Sequence, residues 1–237
     1  EKTVDDLTRV DFFTSHEGLN LLYESAQTRT VPRRQGHYDL TTHLPWIGER
    51  TRALDGAHVE FFRGIRNPIG VKIGPKADPD EVVELVRILN PSAEPGRMVL
   101  IVRMGVEHVG QKLEQLLQTV NKAGTPVLWV CDPMHGNTRS TSTSRKTRNV
   151  GDIYAELAES IDIHNRVGTY LGGVHFELTG EDVTECVGGA SGVTEEDLEQ
   201  NYSTALDPRL NYAQSLELAF MLSNHFQNGS NPVGRNP

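Results

Sequence analysis

The heptapeptide Asp132-Pro133-Met134-His135-Gly136-Asn137-Thr138 follows directly on the apolar run Val127–Cys131. This sets a histidine and an aspartate in a tight Pro/Gly turn at the end of a buried strand. Packing alone seldom asks for such a turn, whereas metal and phosphate sites often use one. Two further segments share the pattern, Gly173-Val174-His175-Phe176-Glu177-Leu178-Thr179-Gly180 and Leu206-Asp207-Pro208-Arg209-Leu210-Asn211. Three separate places thus offer one imidazole and two carboxylates: His135, Glu177 and Asp207. That set suits a borderline-to-hard divalent metal: Mn²⁺, Co²⁺, Fe²⁺ or Zn²⁺. His175 lies two residues before Glu177, and in a strand the two would share a face. It is either a core histidine held by hydrogen bonds, the plainer reading, or a partner of the metal ligands.

Cations supply the second half of the chemistry. Arg50, Lys72 and Arg103 each sit near the end of a different strand candidate, beside Gly or Pro. Any one of them could simply pair with a surface acid. Three at equivalent positions point instead to a compact polyanion, since arginine forks match phosphate and carboxylate. A metal beside such a pocket implies polarisation of a carbonyl with an anionic partner held alongside, as in an aldol-like condensation of a phosphorylated enol with an aldehyde. The residues by themselves specify metal-assisted chemistry on small phosphorylated carbon acids.

These groups need strands to carry them and helices to join the strands. Strand candidates are Leu44–Gly48, Ile69–Ile73, Met98–Arg103, Val127–Cys131 and Gly173–Leu178, most of them short and rich in Val or Ile, as buried parallel strands are. Helical patterns run from Asp78 to Asn90, from Val109 to Ala123, from Val150 to Val167 and from Asn211 to Gln227. Another is expected from Ser15-His16-Glu17, read as its cap, to about Arg29. Thr138–Arg148 reads as a functional loop. Repeated βα units with polar residues at several strand ends favour a parallel (β/α) barrel of the TIM type over a doubly wound sheet. Five strand candidates fall short of the eight a barrel needs, so the barrel reads as incomplete, with two sheet edges to be covered.

The 237 residues are expected to form a single α/β domain, residues 1–237. A net charge of −9 speaks against a nucleic-acid partner. No apolar run approaches the ~20 residues that span a bilayer, and Glu1–Asp6 lacks the features of a signal peptide. The two cysteines, Cys131 and Cys186, form no C-x-x-C pair, which makes the cytoplasm the default compartment. Cys131 reads as a small buried hydrophobe.

Taken as longer motifs, these segments strongly resemble the class II (plant/microbial type) 3-deoxy-D-arabino-heptulosonate 7-phosphate (DAHP) synthases. The matching stretches are Trp46–Arg52, Gly70–Pro75, Arg103–Gly105, Cys131–Thr138, Lys146–Arg148, His175–Glu181, Thr184–Gly189 and Asp207–Asn211, covering the chain from about Ser15 to Phe226. The resemblance implies a divalent-metal (β/α)8 barrel that joins phosphoenolpyruvate to erythrose 4-phosphate at the entry to the shikimate pathway. It implies His135, Glu177 and Asp207 as metal ligands. Lys72 and Arg103 would hold phosphoenolpyruvate, with Glu49 lining that pocket. Arg50 would meet a substrate phosphate, and Lys146 and Arg148 would support the same region.

Two departures from the family pattern matter. The chain resembles only the C-terminal portion of a family member, about five βα units with the first three lacking. Those units would bring a cysteine metal ligand, a phosphoenolpyruvate-binding arginine and a Lys-Pro-Arg phosphate motif, and no Lys-Pro-Arg occurs here. Leu206 stands where many members carry a cysteine, so a redox link to the metal-binding cysteine is unavailable. A complementing N-terminal half or self-association is therefore expected to complete the fold. The alternatives are a repurposed enzyme of secondary metabolism with another acceptor, and a non-catalytic regulatory subunit of a full-length synthase.

Overall fold

The computed structural model describes residues 11–228, so the Glu1–Asp6 segment read above for targeting signals lies outside the described residues. The elements in chain order are β1 (Ser15–Glu17), α1 (Leu21–Gln27), β2 (Thr28–Thr30), β3 (His37–Asp39), β4 (Leu44–Ile47), α2 (Ala57–Gly64), β5 (Ile69–Ile73) and α3 (Pro79–Leu89). There follow β6 (Met98–Val102), α4 (Val109–Lys122), β7 (Leu128–Cys131), β8 (Arg139–Ser140), β9 (Lys146–Thr147), α5 (Val150–Val167), β10 (Leu171–Val174) and α6 (Tyr212–Asn228). The fold is α/β, with a six-stranded parallel sheet in the order β1-β4-β5-β6-β7-β10. Every residue of β5 and β6 is buried, which explains their unbroken apolar runs. Among the described residues no helix is long and apolar enough to cross a membrane.

The expectation of five strands is corrected to six. Ser15-His16-Glu17 does not cap a helix; it forms β1 and pairs in parallel with Leu44–Trp46. Three polar residues carry no strand pattern, and only the backbone ladder of a distant segment makes them one. The helix that follows is shorter than expected and is capped by Asn20, whose side chain accepts from the Tyr23 N–H at 3.3 Å. The last strand is also displaced. It ends at Val174, so His175 and Glu177 lie beyond it and the expected sharing of a strand face does not apply. Thr138–Arg148 contains a short antiparallel hairpin, Arg139–Ser140 with Lys146–Thr147. The helices expected from 78 to 90, 109 to 123, 150 to 167 and 211 to 227 occur within a residue or two of those bounds.

The described residues divide into two compact units. One comprises residues 11–72, 80–100 and 123–128; the other comprises 73–79, 101–122 and 129–228. Within the first, β2 and β3 pair as an antiparallel hairpin. The Arg97 guanidinium, buried, donates to the carbonyls of Asn67 (2.6 Å) and Ile65 (2.5 Å) and so fastens the approach to β5. This unit also holds a cavity of about 650 Å³ lined by Phe13, Tyr38, Leu40, His43 and Pro68 among others, and none of the sequence-predicted site residues lines it.

Within the second unit, α5 starts at Asn149, which accepts from the Gly151 N–H at 2.8 Å, and stops at Gly168 in the left-handed region (φ 74°). Met134, Val150, Ile153, Cys186, Leu210 and Leu218 form a buried cluster with Phe176 and Met221 packed against it. Met134 adjoins His135, Phe176 adjoins Glu177, and Leu210 lies three residues from Asp207. Each candidate ligand thus lies near a side chain of this cluster, and the fully buried ones, Met134 and Leu210, are each worth about 1.5–3 kcal/mol. The apolar cluster anchors the polar tips above it.

Candidate metal centre

All three candidate ligands belong to the second unit. The backbone ladder continues one residue past the strands there: Arg103 N–H donates to Ile73 O (2.8 Å), Asp132 N–H to Val102 O (2.7 Å) and His175 N–H to Cys131 O (2.8 Å). Beyond this level each segment turns. The first turn is organised by Asp132, which is fully buried and accepts from the N–H groups of Met134 (3.0 Å) and His135 (3.1 Å). Its carboxylate also holds His135 Nδ1 at 2.8 Å. With Nδ1 occupied, Nε2 is the nitrogen His135 presents, and it lies 3.2 Å from Glu177 Oε1. Leu210 N–H donates to Glu177 O, and Thr179 N–H to Leu210 O, both at 2.9 Å, which brings the Asp207 segment alongside Glu177.

As a result, one donor atom each from His135, Glu177 and Asp207 lies within 4.8 Å of the other two. The residues fit a divalent cation: one imidazole nitrogen and two carboxylates, with the imidazole already oriented by a buried carboxylate. Asp132, His135 and His175 form a second group with the same spacing, and the His135 and His175 rings stand 5.9 Å apart. His175 therefore neighbours the candidate ligands, although not by the strand geometry expected.

Lys146 and Arg148 also reach this centre. Lys146 Nζ, exposed, sits 2.9 Å from Asp207 Oδ1. Arg148 is fully buried; its Nη1 donates to Glu177 Oε2 and to Pro208 O (2.5 Å), and its Nε to Thr138 Oγ1 (2.8 Å). Burial works to raise the Glu177 carboxyl, but His135 and Arg148 prevail and hold it down at about 2. Burial likewise opposes protonation of His135, and its hydrogen bonds to Asp132 and Glu177 prevail, pushing the imidazole up to about 9. Glu177 is thus kept as an anion, the form a metal ligand needs, whereas a cation bound at His135 Nε2 would have to take the place of the imidazole proton.

Arg103 is half-buried and donates through Nη2 to His135 O at 2.7 Å, so the turn after β6 is tied to the turn after β7. The two turns also touch at Gly105 and Gly136. A Cβ at Gly136 would lie 2.4 Å from the Gly105 nitrogen, and Gly105 itself has a φ of +83°, so neither position accepts a side chain without displacement.

The remaining predicted residues belong to the first unit. Lys72 is buried with Nζ 5.6 Å from the Trp46 ring centroid. Glu49 Oε1 meets Arg52 Nη2 at 3.4 Å, and Arg52 Nη1 meets Glu81 Oε1 at 3.0 Å. Arg50 is exposed.

Reading the sequence for site residues missed three buried carboxylates that serve this centre. Asp132 was noticed for its turn, and its position three residues before His135 is a usable signal of a side chain folding back on its own backbone. Glu185, fully buried, accepts from the N–H groups of Thr204 (2.8 Å) and Arg209 (2.8 Å) and from the Arg209 guanidinium (2.8 Å), shaping the loop that carries Asp207. Glu156 sits on the inward face of α5, where burial pushes its carboxyl up to about 7. A glutamate inside the stripe Ile153, Leu157, Ile161 was the available signal for it.

The Class-II DAHP synthetase family matches residues 1–223. A phospho-2-dehydro-3-deoxyheptonate aldolase from Streptomyces coelicolor is 49% identical over 218 residues, 92% of this chain and 48% of that protein. One from Neurospora crassa is 46% identical over 239 residues, 94% of this chain and 50% of that protein. One from Mycolicibacterium smegmatis is 48% identical over 223 residues, 92% of this chain and 48% of that protein. The chain spans about half the length of these curated relatives. With the family matched along nearly the whole chain, and the motif residues meeting at one centre, the chain belongs to the class-II DAHP synthetase family.

Proposed function

We propose that this chain carries the metal-binding part of a DAHP synthase, which condenses phosphoenolpyruvate with erythrose 4-phosphate at the first step of the shikimate pathway. The observation that carries this reading is the meeting of His135, Glu177 and Asp207 within 4.8 Å, each from a separate family motif. These three would hold a divalent cation, Mn²⁺ first, which when bound supplies Lewis-acid polarisation of the aldehyde carbonyl. By the family resemblance, Lys72, Arg103 and Glu49 are each assigned to phosphoenolpyruvate, the two cations to its phosphate and carboxylate. Arg50 is assigned a substrate phosphate, and Lys146 a supporting role toward a substrate phosphate. Arg148, closed off from solvent, supports the same region through Glu177 and Pro208. The sheet is read as part of a (β/α)8 barrel completed by an N-terminal half or by a second copy, in the cytoplasm.

The test is phosphoenolpyruvate consumption by the purified chain with Mn²⁺, with and without erythrose 4-phosphate. The same assay is run with a matching N-terminal half of a relative added. Consumption that depends on the aldehyde, and falls on the order of 100-fold or more in Glu177→Ala, is the expected result. No aldehyde-dependent consumption in either format overturns the reading.

A further inference from the structure

We propose that Glu156, on α5, is the positioning residue that locks the turn bearing His135 against the turn bearing Arg103. The inference rests on the reading of His135 as a metal ligand and Arg103 as an anion-binding group. Glu156 touches neither. Its Oε1 accepts from the N–H groups of Met104 (3.0 Å) and Gly105 (2.9 Å), the two residues after Arg103. Its Oε2 accepts from Asn137 Nδ2 at 2.6 Å, two residues after His135. Asn137 completes the bridge, because its Oδ1 accepts from Val106 N–H (2.9 Å) and its Nδ2 also donates to Pro133 O (2.8 Å). The residue is 1% exposed, and the glycine contact and the Arg103–His135 bond lie on the same seam.

The directions of these bonds explain why a carboxylate is used. Three donors face Glu156, so an ionised carboxylate satisfies all of them, whereas glutamine turns an NH₂ onto the NH₂ of Asn137. Flipping Asn137 does not relieve the conflict, because it would set oxygen against Pro133 O and NH₂ against Val106 N–H. Aspartate at 137 would meet glutamine at 156 with an acceptor but would set oxygen against Pro133 O, so exchanging the two groups does not reproduce the link. The network is polarised in one sense, and Glu156 and Asn137 act in it as one unit.

The full chain is assayed in two ways: Mn²⁺ affinity by titration, and amide hydrogen exchange at residues 103–106 and 133–137. Glu156→Gln is expected to weaken Mn²⁺ binding by about 10- to 100-fold, as loss of a group that orients a ligand does. Exchange should rise in both turns together. Glu156→Gln/Asn137→Ala should lose no more affinity than the weaker-binding of the two single variants, because residues in one hydrogen-bonded link are not additive, while Ile161→Val, on the same helix, should leave affinity unchanged. Should Glu156→Gln not fold, Asn137→Ala carries the same expectation. Wild-type affinity and exchange in Glu156→Gln and Asn137→Ala, or fully additive losses in the double variant, overturns the proposal. If the wild type binds no Mn²⁺, or binds it equally after His135→Ala, the metal reading falls, and exchange at the two turns still decides the role of Glu156.

Discussion

Lys146 and Arg148 stand two residues apart and hold the two candidate carboxylates in opposite regimes. The Lys146–Asp207 pair is open to water, with side chains 53% and 33% exposed, so solvent screens most of the attraction. Arg148 is sealed in, and its removal would strand the Pro208 carbonyl and leave Glu177 without its guanidinium. Lys146→Ala is therefore expected to change stability by less than ~1 kcal/mol. Arg148→Met is expected to cost about 3 kcal/mol or more. Denaturant midpoints of the two variants check this, and equal losses would contradict the distinction drawn from burial. The motif Lys146-Thr147-Arg148 was legible in the sequence as a pair of cations. Which acid each would meet was not, because the partners lie 61 and 29 residues away.

Helix α5 shows how one element serves several ends of the site. Its cap and its glycine stop were readable locally, and its bounds matched the expectation. Its inward face carries Glu156 toward the turns and His164 into the interior, where the ring meets Trp129 edge-on at 6.0 Å. Burial pulls the His164 imidazole down to about 4, and its Nδ1 lies 2.8 Å from Thr169 Oγ1. Because the folded value lies below that of the unfolded chain, the unfolded chain takes up more protons between pH 6.5 and 4. Stability is therefore complete above about pH 6.5 and falls as pH drops toward 4, by on the order of 3 kcal/mol. The difference in unfolding free energy between wild type and His164→Asn, followed across that range, should shrink toward pH 4. A difference that is constant with pH would contradict the neutral buried imidazole. Strand β1 is the opposite case, an element that exists only through its partner, since Ser15-His16-Glu17 has no apolar alternation of its own.

At the scale of a whole compact unit, the two thiols report on its opening, since both belong to the second unit. Cys131 and Cys186 are both free and buried; burial pushes the Cys131 thiol up and the Cys186 thiol up to about 12. Thiolate is the reactive form, so neither should react with an alkylating reagent at pH 8 while the chain is folded. Labelling should follow the unfolding equilibrium, rising with denaturant in step with loss of secondary structure. Rapid stoichiometric labelling of the native chain would show that the core around β7 or the Cys186 loop opens locally. The expectation of Cys131 as a small buried hydrophobe agrees with its 2% exposure.

The sequence by itself determined the chemistry available and where along the chain it lies. Apolar runs with Gly/Pro stops located five of the six strands of the parallel sheet, terminal signals located most helices, and the motifs around His135, Glu177 and Asp207 singled out residues whose donor atoms converge. These signals are local: a strand buried on both faces must be apolar, and a turn that aims a histidine needs its own Asp, Pro and Gly. Only the tertiary structure decided that β1 is a strand, that the last strand stops before His175, and that Arg148 closes over Glu177. It alone placed Glu156 and Glu185 behind the loops that carry the ligands. A buried carboxylate is chosen by the donors that surround it, and those donors are backbone N–H groups any residue can supply. Their meeting depends on how the chain returns on itself, which the types of the residues concerned do not record.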